Sequence, residues 1–140
     1  MKQNRGFTLV ELLITIAILG ILASVAVPRL FPQTERARSG EAITILSAIR
    51  QGEEAFTLEN GVYIALAASD TDVDWNQIGM DNPNNNADFF AYAVAVGNPA
   101  TTFTATGTRN NVNDGGGNNG KTITLNNAGD FGGTHPFAPG

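Results

Sequence analysis

Residues 7–27 form an apolar run of 21 residues in which Glu11 is the only ionisable side chain. As a helix rising 1.5 Å per residue, the run covers roughly 31 Å, the hydrocarbon thickness of a bilayer. It therefore predicts a membrane-spanning helix. Three neighbouring features need a cause. A short basic hexapeptide, Met1-Lys2-Gln3-Asn4-Arg5-Gly6, stands in front of the run, charged as a cytoplasmic anchor would be. Glu11 lies near the start of the run, where a charge at the bilayer centre would cost roughly 2.5–3.5 kcal/mol. It needs a partner or a shallow placement. Pro28 follows the run directly and removes one helical hydrogen bond, so a kink, or an extended segment over 28–32, is expected.

The leader ending in Gly6, the Phe7-Thr8-Leu9-Val10-Glu11 that follows, the apolar run and the closing Pro28 resemble the type IV pilin superfamily, which includes pilus subunits and the pseudopilins of type II secretion. The resemblance is close over residues 1–32 and loose beyond. It implies that a membrane aspartic peptidase, the prepilin peptidase, cuts between Gly6 and Phe7, that the new Phe7 amine is methylated, and that Glu11 is the assembly carboxylate. Self-association into a filament and an inner-membrane platform protein and ATPase are implied as well, as is an inside amino terminus. The physics agrees with this picture. A buried Phe7 amine and a buried Glu11 are each costly alone, and both costs vanish if axially offset subunits bring them together. In the alternative, Glu11, about 6 Å along the helix from Phe7, snorkels to the headgroups.

A reading of another class is a secretory signal peptide. Lys2 and Arg5 would be its basic region, and Ser24-Val25-Ala26 offers small residues for cleavage after Ala26, releasing a soluble binding module. Against it, the run exceeds the usual apolar core of such peptides, Glu11 interrupts its start, and the helical pattern continues past the site.

The whole chain carries a net charge of −5, and loss of Lys2 and Arg5 makes it more acidic, which gives nucleic-acid binding no support. Arg29, Arg36 and Arg38 follow the span, so charge counting leaves its orientation open. There is no cysteine, so no disulfide staples the outer domain, a device many pilins use. Catalysis is not predicted: no nucleophile-base spacing or phosphate-binding motif appears, Gly115-Gly116-Gly117 reads as loop only, and the single histidine, His135, reads as a surface residue. No cofactor is required. Oxygen donors for calcium exist at Asp70, Asp72 and Asp74, and at Asn113, Asp114 and Asn118. The glycine and closing glutamate of a calcium loop are missing, so these read as weak candidates beside solvated loop residues.

Beyond the run, Ala42, Ile45, Leu46, Ile49 and Phe56 fall at helical spacing, with Glu41, Thr44, Ser47, Gln51 and Glu54 on other faces. Asn60-Gly61 ends this pattern, glycine suiting a left-handed cap. Residues 62–66 read as a short extended piece. Residues 69–88, rich in Asp and Asn up to Asp88, read as a loop pinned by Trp75 and Ile78. Alternation over 90–96, 101–108 and 121–126 predicts three strands, with Phe90, Tyr92, Val94 and Val96, then Phe103 and Ala105, then Ile123 and Leu125 facing one way. Gly97-Asn98-Pro99 and residues 110–120 are the connections, and residues 130–140 are expected to lie over the sheet or fray.

The expected fold is α+β: a long N-terminal helix packed on a small three- to four-stranded antiparallel sheet. Residues 1–6 are the expected leader, 7–27 the transmembrane and filament-core helix, 28–60 its amphipathic outer half, and 61–140 the globular head. The expected function is a structural filament subunit, either of a type IV pilus or, alternatively, of a type II secretion pseudopilus. The precursor is expected in the inner membrane, held by lipid before assembly, and the filament in the periplasm or at the cell surface.

Overall fold

The computed structural model describes residues 6–86, 89–110 and 117–140. Lys2, Arg5, Asp88, Asn113 and Asp114 lie outside the described residues. A single helix, α1 (Leu9–Asn60), runs for 52 residues. Thr8 caps its start in extended conformation, and Gly61 closes its end at φ 75°, donating its N–H to the Thr57 carbonyl. The left-handed cap costs glycine nothing, whereas a residue with a Cβ would be strained there. The extended segment expected at 28–32 is a correction: the helix continues through it. The apolar face of the helix changes there rather than its secondary structure.

Up to Leu30 the described large side chains of α1 are exposed, and from Glu35 onward one face is buried. Ala42, Leu46 and Ile49 on that face are fully covered by the head. The intervening loop is more ordered than a loop reading implies. Thr71 starts a short helix, α2 (Asp72–Trp75), which continues into one 3-10 turn, and a second 3-10 turn covers Pro83–Asn86. Trp75 and Ile78 are buried and pin the segment to the core as expected. Gly52 makes room for this docking, since a Cβ there would overlap the Ile78 carbonyl oxygen.

The sheet is an antiparallel meander of four strands in sequential order: β1 (Phe90–Val96), β2 (Phe103–Arg109), β3 (Thr122–Asn126) and β4 (Phe131–Gly133). Val94 pairs with Ala105 and Ala105 with Leu125, so the inward side chains of three strands line up against α1. The outer edge of β1 is closed by backbone pairing of Val94 with Leu66, the one bridged residue of the predicted 62–66 piece. Next to it the Asn84 side chain mimics a strand neighbour, accepting from the Tyr92 N–H at 2.7 Å and donating to its carbonyl at 3.1 Å. An edge satisfied in this way resists adventitious pairing. Strand β4 is the fourth strand of the expected three- to four-stranded sheet, at a place no sequence pattern marks. At three residues with two glycines, it has no alternation to detect, and its register, Leu125 with Phe131, comes from β3. With it the tail lies over the sheet, one of the two arrangements expected for it.

Candidate functional site

The first turn of α1 and the residues just before it hold the predicted processing and assembly positions. Gly6 and Phe7 precede the helix in non-helical backbone, with Phe7 89% exposed and open space around Gly6. Thr8 and Glu11 form a capping box. The Thr8 Oγ1 accepts from the Glu11 N–H at 3.3 Å, and the Glu11 Oε2 accepts from the Thr8 N–H and hydroxyl, both at 2.9 Å. Such a box satisfies backbone donors that a helix start leaves orphaned. In the isolated chain the Glu11 carboxylate is therefore held locally by Thr8, at the outer rim of the apolar run.

Beyond this turn the helix presents Leu12, Leu13, Ile14, Ile16, Ile18, Leu19 and further apolar residues all around its circumference, each of the six named more than half exposed. The two hydroxyls in this stretch are satisfied within the helix: Thr15 donates to the Glu11 carbonyl and Ser24 to the Ile21 carbonyl, each at 2.7 Å. No polar group of the stretch demands water, and so much uncovered apolar surface demands lipid or other helices. The helix is long and apolar enough to cross a membrane.

A second polar cluster, which sequence reasoning missed, locks the head to the helix. Glu35, the first buried residue of α1 among those described, receives Arg109 Nε at 2.7 Å on Oε1 and Arg109 Nη2 at 3.1 Å on Oε2. His135 Nε2 lies 3.1 Å from the same Oε1, and Arg38 adds a 3.3 Å contact to Oε2. Burial would raise the Glu35 carboxyl, but the hydrogen bonds from Arg109 and His135, the Arg109 charge and Arg38 together hold it at about 2. The Phe137 N–H points at His135 Nδ1, 3.3 Å away, which assigns the proton of the neutral ring to Nε2 and makes it a donor to Glu35. His135 as a surface residue is thus a correction: it is 4% exposed, because β4 turns the tail back over Phe90 and α1.

A second buried acid is Glu53. Its Oε2 accepts from the Ile64 N–H at 3.1 Å, while Oε1 has no hydrogen-bond partner among the described residues. Burial raises its carboxyl to about 7 against the opposing pull of that N–H. The calcium candidates are used otherwise. Asp70 accepts from the Ala67 N–H, Asp74 caps through Thr71, and Asp72 accepts from the Asn85 side chain. No group of three acidic, histidine or cysteine side chains is placed to hold a metal among the described residues.

Comparison with known proteins places two matches on these parts. Residues 1–27 match the prokaryotic N-terminal methylation motif, and residues 35–135 match the bacterial filament protein pilin. Relatives include the type IV major pilin protein PilA of Myxococcus xanthus, 35% identical over 95 residues that make up 68% of this chain and 40% of that protein. A fimbrial protein of Pseudomonas aeruginosa is 38% identical over 76 residues, 54% of this chain and 49% of the relative. The type II secretion system core protein G of Vibrio cholerae is 40% identical over 63 residues, 45% of this chain and 43% of the relative. In each case the match spans less than half of the relative's length. No solved structure matches.

Proposed function

Because this chain belongs to the pilin family of bacterial filament proteins, we propose that it is a structural subunit of a type IV pilus-like filament, polymerised through α1. The observation that carries this reading is the uncovered apolar half of α1, fused to a head that is complete without it. The precursor would sit in the inner membrane as a single span with its amino terminus in the cytoplasm. Prepilin peptidase would cut between Gly6 and Phe7, and the Phe7 amine would be methylated. Extraction by a platform protein would then transfer the apolar helix from lipid to a bundle of like helices, where close packing supplies cohesion.

In that bundle Glu11 would exchange its Thr8 contacts for the Phe7 amine of an axially offset neighbour. Two charges that are costly in an apolar core would then neutralise each other, and only one register allows it. A bend at Pro28 would let the head tilt relative to the core.

Core protein G of type II secretion is also a relative, so a pseudopilus is the second reading. The pilus reading is favoured by the longer stretch shared with the Myxococcus major pilin, which reaches into the head. Deleting the gene and examining sheared surface filaments by electron microscopy separates the two. Loss of surface filaments supports the pilus. Intact filaments with folded proteins trapped in the periplasm support the pseudopilus.

A further inference from the structure

Between α1 and the outer edge of β1 lies a groove of about 300 Å³, lined by Glu41, Ile45, Asp81, Phe89, Phe90 and Tyr92. Two carboxylates stand over aromatic and aliphatic walls. Glu41 and Asp81 make no ion pair among the described residues. Burial, and the Glu41 charge after it, push the Tyr92 hydroxyl well up. Arg38 at one end lies 4.1 Å from the Phe89 ring centre, but its charge is already directed to Glu35. Carboxylates beside aromatic faces suit a planar guanidinium, which can donate a forked pair of hydrogen bonds and stack at once.

One such group is on offer in the same chain. Arg36 is exposed, leans on the Phe137 ring at 5.3 Å, and has no carboxylate partner among the described residues. It cannot reach the groove of its own molecule. Five residues separate it from Glu41, which is roughly 140° around the helix, so the two flank the buried face of α1 on opposite sides. Opposite flanks are what a head-to-tail contact between copies requires. The axial distance fits as well. Arg36 lies about 7.5 Å before Glu41 along α1, and Phe7, joined to the helix through the extended Thr8, lies roughly 6–9 Å before Glu11 in the same sense. One axial step between neighbouring subunits therefore satisfies both pairs. Arg29 would need about 18 Å, and a neighbour at that step would leave Glu11 unpaired.

We propose that this groove is a socket for Arg36 of a second copy of this chain, so that each head is clamped onto its neighbour at the register the helix core sets. This rests on the filament reading above.

The test is charge exchange in the full chain expressed in its native cells. Glu41→Arg and Arg36→Glu should each lower the subunit recovered in sheared filaments by about tenfold, and the double exchange should restore it. Precursor level and the mature amino terminus should be unchanged in all three. Normal yield from both single variants, or no recovery in the double, would overturn the socket and leave the groove to another occupant. Recovery with Arg29→Glu plus Glu41→Arg instead would overturn Arg36 as its occupant. If the wild type forms no filaments, the filament reading fails, a result distinct from either.

Discussion

Arg109, at the end of β2, grips Glu35 of α1 at two points, 2.7 and 3.1 Å, across 74 residues of chain. With His135 on the same carboxylate, this contact ties the helix, the sheet and the tail into one unit where a cysteine-free chain has no disulfide. It also marks where α1 changes from a helix without a partner to one with a head.

Removing Arg109 takes away the two shortest contacts of buried Glu35 and leaves it His135 and the partly exposed Arg38. Arg109→Ala is expected to destabilise the head by about 3–5 kcal/mol, the usual cost of breaking a buried pair from one side. Denaturant melting of the detergent-solubilised full chain, followed by Trp75 fluorescence, measures it. A loss below about 1 kcal/mol would mean the pair is a bystander.

The same contact sets an acid limit. Glu35 is held at about 2 in the folded chain against an ordinary 4.5, so the folded state binds fewer protons than the unfolded one between those values. Stability is complete above pH 4.5 and falls as pH drops toward 2, by about 3 kcal/mol in all. Arg109→Ala should flatten that limb of the melting profile.

Glu53 works in the opposite direction. Its folded value of about 7 lies above 4.5, so its contribution is complete below pH 4.5 and is lost as pH rises through 7. Glu53→Gln keeps an acceptor for the Ile64 N–H and carries no charge. It should raise stability at pH 8 by up to about 3 kcal/mol and leave it unchanged at pH 4. A melting temperature equally altered at both values would point to packing instead.

At the other end of the chain, Glu11→Ala should insert in the membrane and be cleaved at Gly6 normally, yet enter filaments about tenfold less well. Loss of the Thr8 capping box alone would cost only about 1 kcal/mol at a helix end. Thr8→Ala should therefore leave incorporation largely intact. Equal defects in the two variants would assign Glu11 to helix capping and not to subunit pairing.

Much of this architecture was legible because it repeats. The apolar run and the spacing of Ala42, Leu46 and Ile49 announce a helix with two different environments, and alternation fixed β1 and three inward faces of the sheet. The groups that lock the head were not legible, since Glu35, Arg109 and His135 come from three elements and no spacing joins them. A signal existed for two. Arg109 continues the inward register of Phe103, Ala105 and Gly107, and Glu35 lies two turns before Ala42 on the buried face. Charged residues in core phase announce a buried partner, though not which one. His135 carried no such signal, because only the pairing of β4 brings it inward.

The central claim is that Phe7 becomes the amino terminus of a subunit that assembles through α1. Intact mass and amino-terminal sequencing of the protein from its native cells tests it most directly. A chain beginning at Phe7 and carrying one extra methyl group is the predicted result. A chain beginning at Val27, released after Ala26 without the apolar helix, would contradict it.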